Sequence, residues 1–377
     1  ILPYLRRFMK ISIGSEIVDG PWGGGNLFVL NLTNYLQAKG HKVIYDLSEP
    51  DIDLILLTDP RSRKESTSTF NHHDINKYRK VVNSKAIVIQ RINECDERKG
   101  TSNINSFYLE ASNSADHVVF VSSWLQNIYL KLGMEESKTS VILSGSDSEI
   151  FNLDNTSRLE KKEKVKLVTH HWSSNKNKGF DIYERINEMI KTKKWKDKIE
   201  FTYIGNTSGE YNLENTNIIS PLAGKKLAEE IKRHHLYVTA SINEPSGNHH
   251  IEAAQCGLPI LYLNSGGMPE YCEGYGVSFN KDFEQKLELI IEDYKIYKNK
   301  MSSYPFSSMK MCDEYNSLFK ELVVLNDEKS YKKKNIIPIK IFLLKQKIYK
   351  IFRVNLKQKI KMYFLKYFYK GKNKNGQ

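Results

Sequence analysis

The chain has 377 residues, 40% of them apolar, which is enough for more than one domain with its own core. It holds no uncharged apolar run of the length a membrane-spanning helix needs. Its net charge of +13 comes from the end of the chain: residues 330–377 hold 15 Lys and Arg and no Asp or Glu, so the remainder is close to neutral and a nucleic-acid footprint spread over the body is not expected.

From the start, Ile1–Phe8 do not read as a signal peptide, and Met9 looks like a natural start. Lys10–Gly14 reads as a strand, followed by a glycine-rich loop, Gly20 to Gly25. A helix pattern then runs through Leu27, Leu30, Leu32, Tyr35 and Leu36 to a C-cap at Gly40. Strands are expected at His41–Tyr45, Asp53–Leu57, Ala86–Gln90, His117–Ser122 and Ser140–Leu143, with helical patterns between most of them. The polar stretch Asp154–Lys164 reads as an interdomain linker. The alternation then restarts: strands at Val165–Thr169, Glu200–Ile204, Leu236–Ala240, Pro259–Leu263 and Gly276–Phe279, and helices at Phe180–Lys191, Gly224–His234 and His249–Cys256. Two tandem β/α series predict two doubly wound α/β domains with parallel sheets facing across a cleft, which is the expected ligand site. Cys95, Cys256, Cys272 and Cys312 have no metal-type spacing and read as free thiols of a reducing cytoplasm.

The chemistry concentrates in Asn243-Glu-Pro-Ser-Gly-Asn-His-His-Ile-Glu252-Ala-Ala-Gln-Cys-Gly257-Leu-Pro259, continuing to Ser265-Gly-Gly-Met-Pro-Glu270. Pro245 keeps Glu244 out of a helix. Gly247-Asn248 opens a helix that carries Glu252. One carboxylate sits on a loop and the other on a helix wall, on the order of 10 Å apart, each able to accept a pair of hydroxyl donors. The helix start at Gly247–His249 offers backbone N–H groups to anionic or hydroxyl oxygens, and Gly266-Gly267 offers a second such nest.

Glu244, seven residues, Glu252, then Ala-Ala-x-Cys-Gly-x-Pro and Gly-Gly-x-Pro-Glu together resemble the donor motif of the large retaining GT-B glycosyltransferase family (family 4, glycosyl transferases group 1). The likeness covers residues 9–325. It includes His41-Lys-Val, Val121-Ser-Ser, Val141-Ile-Leu-Ser-Gly-Ser-Asp147 with Phe151, Lys178-Gly-Phe, and Phe306-Ser307 through Tyr315 and Phe319.

The resemblance implies a domain at 9–153 on the acceptor side, a nucleotide-sugar-binding domain at 165–305, and a helix at 306–325 crossing back to the first. Glu244 would hold hydroxyls of the transferred sugar and Glu252 the ribose. Lys178 would neutralise the leaving diphosphate, Gly24 and Gly25 would approach donor phosphates and acceptor, and Gly247 and Asn248 would offer N–H groups to the sugar. The family needs no bound metal or other cofactor beyond the donor co-substrate.

Two departures stand out. The family's usual arginine five residues before the lysine is Ser173 here, which leaves the phosphate charge to Lys178 with Lys176, His170 or His171. The family's acceptor-side histidine is missing too, and Arg91 and Asn93, in the polar loop expected from Gln90 to Gly100, are the acceptor-side candidates in its place.

Plainer readings stand beside these. The two glutamates alone could be solvated acids, Lys178 a surface lysine, the glycines a simple turn, and Arg91 and Asn93 braces of their loop. Adjacent His249 and His250 point apart on a helix and do not suggest a metal site. His72-His73 read as surface residues of a helix, and Asp147 as a residue fixing the interdomain turn.

In the tail, 330–377, Leu344, Ile348, Phe352, Leu356, Ile360, Phe364 and Phe368 recur every fourth residue among lysines, a basic amphipathic pattern suited to an anionic membrane surface over 339–370. The expectation is a cytoplasmic transferase, peripheral on the inner face of the membrane. It would move a hexose-like sugar, with retention, from a nucleotide-diphosphate sugar to a glycan or glycolipid. The alternatives are an epimerase of the same fold and a non-catalytic membrane-docked adaptor.

Overall fold

The computed structural model describes residues 8–18, 23–61, 67–207, 209–327 and 337–351. The first half runs β1 (Lys10–Ile13), α1 (Gly23–Ala38), β2 (Lys42–Ile44), β3 (Leu54–Leu57), α2 (His72–Val81), β4 (Ile87–Ile92), α3 (Asp96–Lys99), α4 (Ile104–Ser112), β5 (His117–Phe120), α5 (Ser123–Lys131) and β6 (Thr139–Val141). The second runs β7 (Val165–His171), α6 (Phe180–Met189), β8 (Ile199–Gly205), β9 (Asn217–Ile219), α7 (Gly224–Ile231), β10 (Leu236–Thr239), α8 (Asn248–Gln255), β11 (Ile260–Leu263), α9 (Met268–Cys272), β12 (Gly276–Phe279), α10 (Phe283–Glu292) and α11 (Tyr294–Lys300). A last long helix, α12, spans Ser308–Asp327.

The strands form two six-stranded parallel sheets, ordered β2-β1-β3-β4-β5-β6 and β12-β11-β10-β7-β8-β9. Parallel strands are covered on both faces, which explains why β3 and β4 are buried along their whole length. Strand order reverses between β1 and β3 in the first sheet and between β7 and β10 in the second. Such switch points open a crevice beyond the strands' carboxyl ends. Met311, Cys312, Tyr315, Phe319 and Val323 of α12 make an apolar stripe at helical spacing, buried with Phe28, Val29, Leu32 and Leu36 of α1 in the first sheet's core. The chain thus returns to its first domain.

Several details differ from the sequence reading. Gly23–Gly25 begin α1 instead of ending a loop. Glycine is a poor helix former, but the buried face downstream carries the first turn with it. Strand β4 continues through Arg91, because the parallel pairing with β5 runs on through Arg91 opposite Val119 and Ile92 opposite Phe120; the Arg91 guanidinium lies 4.0 Å from the centre of the Phe28 ring. β7 likewise continues through His171. The edge strand β9 carries no apolar alternation strong enough to predict it, being mostly exposed. His72 is buried, against the surface position expected for it.

In the tail, residues 337–351 are helical, and Phe342 is buried beside Tyr78, with Lys350 paired to Asp46 at 2.7 Å. Phe352, Leu356, Ile360, Phe364 and Phe368 lie outside the described residues. No helix among the described residues is long and apolar enough to cross a membrane. The four cysteines are buried and free.

Candidate active site

The site is assembled at the β7/β10 switch point of the second sheet. After β7 the chain makes a tight turn, Lys176–Lys178, closed by Gly179 at φ +90°. A Cβ on Gly179 would stand 2.4 Å from the Ala240 carbonyl oxygen. Only a glycine lets this turn lie against the end of β10, and that approach sets Lys178 beside the loop that carries Glu244. The loop's other side rests on Gly267, whose N–H donates to the Glu244 carbonyl at 2.9 Å. The Gly266-Gly267 pair is therefore a floor under Glu244 and not the anion nest expected from its sequence.

Glu244 is 5% exposed. The Lys178 Nζ donates to its Oε2 at 2.5 Å, and the Arg98 Nε lies 3.0 Å from its Oε1. Burial alone would raise its pKa, but the Lys178 ammonium and then the Arg98 guanidinium outweigh that and hold it at about 2. It is an obligate carboxylate at neutral pH, able to accept hydroxyl hydrogen bonds and unable to act as an acid.

Glu252, on α8, accepts from the His170 Nε2 at 2.9 Å, while the His170 Nδ1 lies 3.2 Å from the Tyr237 hydroxyl. A carboxylate on one ring nitrogen and a phenol on the other fix the Nε2–H tautomer and aim the Glu252 side chain. The first N–H groups of α8 have no side-chain cap.

His171 is bonded to the Tyr183 hydroxyl at 2.7 Å, and burial, followed by the Lys178 charge, pushes its pKa well below 6.5. It is neutral and cannot lend charge to a phosphate, and Lys176 is exposed on the outside of its turn. The second cation beside Glu244 is instead Arg98, from the opposite domain. His249, held by Thr239 at 3.0 Å, and His250 are likewise driven neutral by burial. Among the described residues no group of three or more His, Cys, Asp or Glu side chains is arranged to hold a metal ion.

One cleft of about 430 Å³ is lined by both domains. The second contributes Ser173, Lys178, Glu244, Gly247, Asn248 and Glu252, and the first contributes Gly24, Gly25, Arg91 and Asn93. These ten residues selected from the sequence therefore meet in a single space, whereas Lys176 does not line it. Ser173 fills the missing arginine's position with a hydroxyl turned to its own loop, accepting from the Asn175 N–H at 3.2 Å. Gly24 faces the Asn248 amide across the cleft, whereas a Cβ on Gly25 would touch nothing. Arg91 is not in a loop but buried at the end of a strand, 5% exposed.

Arg98 was not singled out in the sequence; His170 was expected to help with phosphate charge and instead holds Glu252, and Glu270 was part of the donor motif with no role assigned. Glu270 accepts from the N–H groups of Ser123 and Trp124 at 2.8 and 2.9 Å, so a carboxylate of the second domain caps α5 of the first. Asn177 donates to the Arg98 carbonyl at 3.0 Å and Asn243 to the Glu97 carbonyl at 3.1 Å, which fastens the α3 segment over the site loops. The domains are closed on each other. No local pattern announces these contacts, since each joins residues from opposite domains.

Residues 155–304 match the family model described as glycosyl transferases group 1. A curated relative, the gpi3 subunit of phosphatidylinositol N-acetylglucosaminyltransferase from Schizosaccharomyces pombe, is 22% identical over 204 residues, 50% of this chain. The match spans 44% of that relative's length. Anabaena HepE, solved in complex with UDP and glucose, superposes with a TM-score of 0.57 at 13% identity, over 83% of this chain and 99% of HepE. The catalytic domain of starch synthase IV from Arabidopsis thaliana, bound to ADP and acarbose, gives 0.62 at 14% identity, over 84% and 99%. The chain therefore has the two-domain GT-B fold, and its second domain matches the glycosyl transferases group 1 model over residues 155–304.

Proposed function

We propose that this protein transfers a hexose-like sugar, with retention, from a nucleotide-diphosphate sugar to a glycan or lipid-linked acceptor. The observation that carries the reading is the meeting of Glu244, Glu252 and Lys178 in one cleft with an uncapped helix start. Glu252, with one oxygen held by His170, offers the other to the ribose hydroxyls. The diphosphate lies between Lys178 and the N–H groups opening α8, where positive charge and helix dipole favour it. Glu244, fixed as a carboxylate, accepts from hydroxyls of the transferred sugar. Arg98 supplies the second cation that Ser173 does not, and it arrives only when the domains close. These groups stabilise the charge that develops on the leaving diphosphate, and no metal is invoked. The departing phosphate oxygen takes the acceptor's proton, so that no side-chain base is required.

We further propose that the acceptor is met at an anionic membrane surface on the inner face. In the helix at 337–351, Phe342 is turned inward, while Ile341, Leu344, Ile348 and Ile351 are exposed at spacings of three and four. Lys340, Lys345 and Lys347 accompany them.

Glu244→Gln tests the transfer reading. Turnover with the donor that the protein accepts should fall by about 100-fold or more, while the fold is kept. Unchanged turnover would point to a different sugar site, and absence of turnover in the unaltered protein with UDP-, GDP-, ADP- and dTDP-sugars would favour the adaptor reading.

A further inference from the structure

Arg91 is an unusual residue to bury. It follows Ile87 and Ile89 on the face of β4 that packs under α1 and α12, and it ends that apolar row at the floor of the cleft. Only 5% of it is exposed. Its guanidinium lies against the Phe28 ring at 4.0 Å and beside Tyr315. Burial raises the Tyr315 phenol above its ordinary pKa, so neither neighbour carries negative charge at neutral pH. Among the described residues no carboxylate pairs with Arg91, although Arg98, seven residues on, has two.

A buried charge without a counter-ion is costly, and native structures seldom keep one unless a ligand supplies the missing charge. The start of α1, a helix of 16 residues with no acidic side chain in its first turn, opens onto the same cleft wall at Gly23–Gly25. A second source of positive potential therefore faces the same space.

We infer that Arg91 is the receptor for an oxyanion carried by the acceptor, so that the substrate glycosylated here bears a phosphate or carboxylate near its reacting hydroxyl. The inference rests on the transfer reading above. There the donor's own diphosphate is held by Lys178 and the start of α8, with Arg98 reaching across beside Glu244, while Arg91 makes no such contact and lies against Phe28 under α1. A guanidinium pinned flat on an aromatic ring presents its remaining N–H donors in a fixed plane, which suits the two-point geometry of an oxyanion.

The test uses inorganic phosphate as the probe, titrated into the full chain saturated with UDP so that the donor site is filled. Arg91→Met keeps the packing against Phe28 and removes the charge, and Arg91→Lys keeps the charge and loses the fork. The expected result is phosphate binding in the unaltered protein, at least tenfold weaker in Arg91→Met and intermediate in Arg91→Lys, with UDP affinity within twofold in all three. Retained UDP binding also shows that the variants are folded. Acetate in place of phosphate separates a carboxylate receptor from a phosphate one.

Equal phosphate binding in Arg91→Met and the unaltered protein overturns the inference. So does a tenfold loss of UDP affinity in Arg91→Met, which would assign Arg91 to the donor diphosphate. If the unaltered protein does not bind UDP, that result counts against a uridine donor, and phosphate titrated alone still decides for Arg91: loss in Arg91→Met supports it, no change overturns it.

Discussion

Glu244 lies between two cations, and that placement governs how the protein responds to acid. Its folded-state pKa, about 2, is below the ordinary 4.5 because Lys178 and Arg98 outweigh burial. A depressed carboxyl stabilises the fold fully above its unfolded pKa, and the contribution disappears as pH falls through the folded value. In urea unfolding followed from neutral to acid pH, the stability gap between the unaltered protein and Glu244→Gln should hold constant above about pH 5 and shrink toward pH 2. A gap that ignores pH would show that Glu244 is not paired in this way. Glu244, Glu252 and Lys178 were legible because their surroundings are local: Pro245 fixes a loop, Gly247 opens a helix, and Gly179 closes a turn. Arg98 was not, because among the charges from Glu94 to Lys99 nothing distinguishes the one that crosses to the other domain. The pairing of His170 with Glu252 was not either, since the two lie 82 residues apart and His170 was expected to face phosphate.

At the level of elements, the glycines of the cleft separate into those that need to be glycine and those that do not. Gly247 has φ +78°, and a Cβ there would stand 2.7 Å from the His249 ring and 3.0 Å from the Glu244 Cγ. Gly25 sits in the first turn of α1 with nothing within 4 Å of a Cβ. Gly247→Ala should cost about 1–3 kcal/mol and disturb turnover through Glu244, whereas Gly25→Ala should raise stability by about 0.5–1 kcal/mol. Thermal melting of the two variants is the check, and equal effects would show that the loop is not held as described.

The helix at 337–351 makes its own prediction. The unaltered chain should sediment with vesicles of an anionic phospholipid and not with a zwitterionic one, and replacing Leu344 and Ile348 by Ser should weaken that association several-fold. Binding that ignores lipid charge would contradict the basic-face argument. Strands and buried helices were readable from their periodicity. The start of α1 was not, because tertiary packing overrode three glycines, and β9 was not, because an exposed edge strand has no buried face to pattern it.

In the whole molecule the two sheets supply different chemistry and are joined by a small set of polar ties. Glu270 caps α5, Tyr271 donates to the Val121 carbonyl and accepts from the Ser144 N–H, and the α3 segment lies over the loops that carry Lys178 and Glu244. The order of β and α segments predicted two doubly wound halves, since it follows from local pattern repeated twice. The closed arrangement did not follow, because it depends on pairs that are distant in sequence. Contact between the domains is what brings Arg98 beside Glu244, so under the proposed function donor affinity belongs to the assembled molecule.

The account is tested most directly by calorimetric titration of UDP, GDP, ADP and dTDP into the unaltered chain, Lys178→Ala and Glu252→Ala. One of the nucleotides should bind with a Kd below about a millimolar, and each substitution should weaken it about tenfold or more. Failure of all four to bind, or binding that both substitutions leave unchanged, would contradict the assignment of this cleft to a nucleotide-sugar donor.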